Sequence, residues 1–120
     1  MRLRMPAAVL LVGWLASCGG NSPMTPTNMP LPAGTISIVP GASGLTTNAY
    51  SPNQMIVGVG ATVTWINNDS VTHTATADGG LWDSGRIDPG GRFSVTFSTA
   101  GTFPYHCTIH PNMVGSVIVQ

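Results

Sequence analysis

The sequence contains no lysine and no glutamate. Charged residues make up only 7% of its 120 positions, where a soluble domain usually carries about 25%. The basic residues are Arg2, Arg4, Arg86 and Arg92, set against Asp69, Asp78, Asp83 and Asp88. With no basic cluster the chain has nothing to neutralise phosphates, which excludes nucleic acid as a partner. Polybasic docking on anionic lipid is excluded for the same reason. Histidine is scarce too, with three residues, so an enzyme site built from many imidazoles and several metals is ruled out. No apolar run approaches the ~20 residues that span a bilayer. Gly and Pro, at 15 and 10 residues, stay just under the ~25% that reads as low complexity. A single small domain is what the length allows.

Arg2 and Arg4 precede an apolar run of about ten residues, the length of a signal-peptide core. The run closes on Leu15-Ala16-Ser17-Cys18. This resembles a bacterial lipoprotein signal, in which cleavage leaves the Cys as a new, lipidated N-terminus. The resemblance implies a signal peptide over residues 1–17 and a lipid anchor on Cys18. Gly19 in the next position points to the outer membrane. More than one acyl chain would then hold the protein firmly, where one alone holds marginally. After removal of the leader, two Arg face four Asp, a formal charge of −2. Residues 18–34 follow as a tether, with Pro23, Pro26, Pro30 and Pro32 among Ser, Thr and Asn. That composition gives an extended, solvated chain. Met24 and Met29 are read as part of this linker and not as metal collectors.

Residues 35–120 show no helical spacing. Short alternating runs rich in Val, Thr, Ile and Phe recur at 35–39, 54–59, 61–66, 71–76, 92–97, 102–107 and 115–120. Turn residues separate them, as in Asn67-Asn68-Asp69 and Asp88-Pro89-Gly90-Gly91. The pattern predicts an all-β sandwich or small barrel of about seven to eight strands. Alternation then assigns faces. Val63 and Trp65 share a core row, as do Phe103, Tyr105 and Cys107. Val71, His73 and Ala75 share another, opposite Thr72, Thr74 and Thr76. His106 falls on the outward face and is read as a surface residue.

Cys107, His110 and Met113 place a thiol, an imidazole and a thioether at i, i+3 and i+6. The spacing does not fit one strand face. It fits a short loop curled round a single ion, with His73 as a fourth group from an earlier strand. Zinc rarely takes Met as a ligand. Two imidazoles, a thiolate and a weak thioether instead form the trigonal copper arrangement used for electron transfer.

The stretch Ala100-Gly101-Thr102-Phe103-Pro104-Tyr105-His106-Cys107-Thr108-Ile109-His110-Pro111-Asn112-Met113 resembles the C-terminal copper loop of amicyanins and related plastocyanin-like cupredoxins. Thr62-Val63-Thr64-Trp65-Ile66-Asn67-Asn68, followed by His73, is similar to the family's first-ligand strand and loop. Asp83-Ser84-Gly85 and Pro89-Gly90-Gly91-Arg92-Phe93 match its middle segment. The resemblance covers nearly all of 54–120, whereas 41–52 carries no signature. It implies a cupredoxin-like Greek-key β-sandwich and one type 1 copper ion. It also implies His73, Cys107, His110 and Met113 as ligands, and one-electron transfer as the work. One position departs: the family has Asn directly after the first His ligand, and here it is Thr74.

The expected protein is a monomeric blue copper carrier, periplasmic or on the cell surface, held to a membrane through Cys18. Redox partners would meet a weak apolar patch around His110 and Pro111. The alternative is a copper module for delivery or resistance without a redox role. Enzymes are disfavoured. Multicopper oxidases need His on both sides of the Cys, and Thr108 follows Cys107. A dinuclear purple site needs a second Cys in the loop. Copper nitrite reductases need a second copper with further His ligands.

Overall fold

The computed structural model describes residues 33–120. The leader at 1–17, Cys18 and the tether up to residue 32 therefore lie outside the described residues. The chain forms eight strands: β1 Ala33–Ile38, β2 Tyr50–Ser51, β3 Met55–Val57, β4 Thr62–Asn67, β5 Thr76–Ala77, β6 Arg92–Thr96, β7 Gly101–His106 and β8 Val114–Val119. They build two four-stranded sheets, ordered β2-β1-β4-β6 and β3-β8-β7-β5. The first strand opens at Ala33, pairing with Thr62, so Ala33 and Gly34 belong to the sheet and not to the tether. β1 runs parallel to β4, and β3 parallel to β8; the other pairs are antiparallel.

The alternation seen in the sequence becomes the sandwich core. Along β4, Val63, Trp65 and Asn67 are buried while Thr62, Thr64 and Ile66 are half-buried. The outer threonines pair across the sheet: Thr62 with Thr96 at 2.8 Å and Thr64 with Ser94 at 2.7 Å. Inside, Trp65 lies edge-on to Tyr105 with ring centroids 5.2 Å apart, and it also meets Trp82 and Phe93. Ile36, Ile38, Val63, Val117 and Val119 fill the rest. Each such aliphatic side chain contributes about 1.5–3 kcal/mol on burial.

Segment 71–76 departs from the expected strand. It leaves the end of β4 in one sheet and must reach β5 in the other. Crossing the end of the sandwich, it cannot run within either sheet. His73 exchanges backbone hydrogen bonds with Ile87 at 3.1 and 2.7 Å, and only at its end does the segment enter a sheet, where Thr76 starts β5 opposite His106. Strict alternation fails as a result: Val71 is 43% exposed, whereas Thr74, expected outward, is 4% exposed. Segment 41–52, which carries no sequence signature, supplies a short 3-10 turn at Ala42–Gly44 and the edge strand β2.

β4 ends, β7 ends and β8 begins at the same pole. The two loops that carry the candidate ligands, 68–75 and 107–113, are therefore neighbours.

Candidate metal centre

Three donor atoms converge at this pole. Cys107 Sγ lies 3.9 Å from His73 Nδ1 and 3.9 Å from His110 Nδ1. All three atoms fall within 4.8 Å of one another, and the imidazole centroids are 5.0 Å apart. Cys107 and His73 are fully buried, and His110 is half-buried. Met113 is fully buried as well. The loop curls because its own backbone closes it: Cys107 N–H donates to Met113 O at 3.1 Å, and Met113 N–H to His110 O at 2.9 Å. Asn112 then pins the turn outward, its Nδ2 donating to Leu45 O at 2.8 Å.

The first-ligand loop is set by Asn67, whose buried amide is fully used. Its Nδ2 donates to Val71 O and to Ile87 O, each at 2.8 Å, and its Oδ1 accepts Asp69 N–H at 2.9 Å. That turn delivers Asp69 against His73, with Oδ2 2.7 Å from Nε2. Asp69 Oδ1 accepts N–H groups from Gly41 at 3.0 Å and Ser70 at 2.8 Å. The hydrogen bond from His73, helped by these two amides, holds the Asp69 carboxyl down at about 2. An ionised carboxylate only accepts, so His73 Nε2 carries the proton and donates it. The Nδ1 lone pair is thereby left facing Cys107. Carboxylate partners of this kind fix tautomer and ring orientation in metal-ligating histidines.

Sulfur chemistry is tuned by one more contact. Thr74 N–H points at Cys107 Sγ, 3.3 Å away. A backbone donor to a thiolate withdraws charge from the sulfur. The only cysteine among the described residues is this one, and it is unpaired.

His106 stands outside the cluster. Its side chain is 31% exposed and its Nδ1 pairs with Asp78 Oδ1 at 2.6 Å. Outward parity along β7 had placed it there. Asp69, Gly41 and Asn112 were not anticipated. Asp69, four residues before His73, offered a local signal; Gly41 and Leu45 offered none, because they reach the site only through the fold.

A buried thiol flanked by two imidazoles, with a thioether on the same loop, is a soft donor set that fits copper. Comparison with known proteins agrees. The family model for copper binding proteins of the plastocyanin/azurin family matches residues 41–120. The chain belongs to that family. It is 37% identical over 76 residues to amicyanin of Paracoccus denitrificans, covering 59% of this chain and 58% of that protein. It is 32% identical over 84 residues to plastocyanin of Scenedesmus fuscus, covering 59% of this chain and 86% of that one. The chain thus spans under two thirds of the length of the Paracoccus amicyanin. Among solved structures, a purple cupredoxin from Nitrosopumilus maritimus superposes with a TM-score of 0.67 at 36% identity, over 72% of this chain and 99% of that one. A reduced Cu(I) amicyanin variant gives 0.63 at 30% identity, over 79% and 95%. The cupredoxin sandwich and a one-copper cofactor follow from this membership.

Proposed function

We propose that this cupredoxin is a one-electron carrier, not an enzyme, in which His73 Nδ1, Cys107 Sγ, His110 Nδ1 and the Met113 thioether hold the copper. The observation that carries the reading is the convergence of three soft donors within 4.8 Å on two loops braced against the sandwich. Copper held there supplies a one-electron couple.

The chain's residues make that couple usable. Burial of Cys107, His73 and Met113 keeps water from the donors, and the closed loop keeps the donor positions fixed. Asp69 holds His73 in the ligating tautomer. Thr74 N–H steadies the Cys107 sulfur. His110 is the half-buried ligand, and beside it Ile109 is 40% exposed and Pro111 is exposed. Electrons would leave through His110 to a redox partner seated on this small apolar rim, in a transient, low-area encounter. The protein works as a monomer in the periplasm or at the cell surface, tethered through a lipid on Cys18. The Leu15-Ala16-Ser17-Cys18 sequence is what supports the tether.

The alternative role, copper delivery or resistance, needs ready exchange of the ion, and three fully buried donors oppose it. Cyclic voltammetry paired with chelator competition tests the assignment. A carrier gives a reversible one-electron wave and loses copper slowly. Rapid loss to a chelator, with no reversible wave, would favour the copper-handling role.

A further inference from the structure

β8 follows directly on Met113, and its first three residues are its weakest part. Along one edge Val114, Gly115 and Ser116 pair with His106, Tyr105 and Pro104 of β7. Along the other edge β3 pairs, among the described residues, with Val117, Ile118 and Val119 alone. The chain entering β3 has just left β2 in the opposite sheet, crossing at residues 52–54, so its backbone cannot run on beside β8. Gly115 lies in the middle of this half-paired stretch, because the Tyr105 ring fills the space a Cβ would take. A glycine regains the most conformational freedom on leaving a strand.

The side chain of Asn53, itself half-buried, completes the missing edge. Its Nδ2 donates to Val114 O at 3.0 Å, and its Oδ1 accepts Ser116 N–H at 3.2 Å. The parallel register sets Met55 opposite Val117, and extended back it sets residue 53 opposite Gly115. A backbone unit at that point of a parallel ladder would donate to the carbonyl before Gly115 and accept the N–H after it. The carboxamide of Asn53 makes those two bonds. At the far end of the same ladder the backbone makes the equivalent rung, where Gln120 N–H donates to Val57 O at 3.0 Å. The orientation of the amide is fixed, since Nδ2 also donates to Thr47 O at 2.9 Å and only the NH2 can serve two carbonyls. Val114 N–H in turn faces Thr46 O at 3.4 Å, so segment 46–53 grips both backbone polar groups of Val114. Met113, one residue earlier, accepts the Cys107 N–H that closes the ligand loop.

We infer that Asn53 is a positioning residue for Met113. Its carboxamide stands in for a strand and fixes the chain at the exit of the ligand loop, directly after the thioether. The inference rests on the copper reading for its effect on potential; the lock itself belongs to the protein alone.

Two variants and two readouts test it. In metal-free Asn53→Ala, amide hydrogen exchange should quicken about fivefold at Ser116, the equivalent of one net hydrogen bond. It should quicken also at Cys107, whose N–H closes the loop on Met113. Asn53→Asp keeps the size but turns an oxygen on the carbonyls of Thr47 and Val114, and should quicken Cys107 exchange as well. In copper-loaded protein Asn53→Ala should raise the reduction potential, because a thioether held less firmly donates less to Cu(II). In a Met113→Leu background the same change should leave the potential where Met113→Leu alone puts it. Should Asn53→Ala fold poorly, Asn53→Asp carries both readouts. Faster exchange at Ser116 with Cys107 exchange and potential both unchanged would make Asn53 a strand support only and overturn the inference. So would a potential shift that persists in full in the Met113→Leu background. If wild-type protein bound no copper, the copper reading would fall, while exchange at Cys107 still judged the lock.

Discussion

Replacing Asp69 by Asn should cripple the metal site without touching a ligand. The carboxylate sits 2.7 Å from His73 Nε2, and its side chain is only 6% exposed. In the Asn variant, Oδ1 can still accept the Gly41 and Ser70 amides that now bond it at 3.0 and 2.8 Å. The amide NH2 then faces His73 Nε2, donor against donor. The imidazole relieves this by moving its proton to Nδ1, which removes the lone pair that faces Cys107. A buried hydrogen bond to a charged group is worth about 1.5–3 kcal/mol, equivalent to roughly 10- to 100-fold in binding. Loss of a ligand's carboxylate partner elsewhere costs about the same, 10–100-fold in metal affinity. Chelator competition should therefore show copper affinity falling by one to two orders of magnitude on the order of that estimate. The reduction potential should rise, since a negative charge that favours Cu(II) is gone. A pH signature accompanies this in metal-free protein. Asp69 has its carboxyl lowered from 3.8 to about 2 by the His73 hydrogen bond and its two amides. A lowered carboxyl adds stability that is fully present above pH 3.8 and is lost as pH falls through about 2. The Asn variant should be less stable at neutral pH and should lose less on acidification across that window. Unchanged copper affinity, together with an unchanged acid limb, would refute the tautomer argument.

Other perturbations give sharp outcomes. Gly115→Ala should destabilise the sandwich, because a Cβ there would lie 2.5 Å from Cζ and Oη of the buried Tyr105 ring; overpacking of about 1–3 kcal/mol should lower Tm by on the order of 5–15 °C, and a Tm within a degree of wild type would contradict the packing. Electron-transfer rates with the native partner should vary little with salt, because Ile109 and Pro111, the chain neighbours of His110, are exposed and uncharged and give little field to steer docking; a steep fall between low and physiological ionic strength would count against an apolar interface. Cys18→Ala should move the protein from the membrane to the soluble fraction with its copper spectrum intact, and a wild-type chain already wholly soluble would remove the anchor.

The core was legible because a sandwich imposes period two on its strands. Val63 and Trp65 on β4, and Phe103, Tyr105 and Cys107 along and just beyond β7, could be assigned inward from alternation alone. The ligand loop was legible because Cys107, His110 and Met113 are close in sequence and chemically distinctive. What escaped was whatever the crossing between sheets controls. Segment 71–76 looks like a strand by composition, yet it spans the end of the sandwich, where period two has no sheet to enforce it. Thr74 therefore turned inward against expectation, and its amide reached the sulfur. Segment 41–52 looked featureless, yet it braces the site through Gly41 and Leu45. Both contacts are made by backbone atoms, which leave no mark on residue type. The departure at Thr74 was visible as a difference; its contact with the sulfur needed the distance from its N–H to Cys107 Sγ.

If Cys107 binds copper as a thiolate between His73 and His110, the bound ion has an optical signature. Stepwise addition of Cu(II) to the purified protein, followed by optical and EPR spectroscopy, tests it most directly. The expected result is an intense visible thiolate-to-copper band that saturates at one equivalent and bleaches reversibly with a mild reductant. In Cys107→Ser the band should be absent while the sandwich stays folded. A Cys107→Ser protein that keeps the colour, or a wild type that binds Cu(II) with no such band, would contradict it.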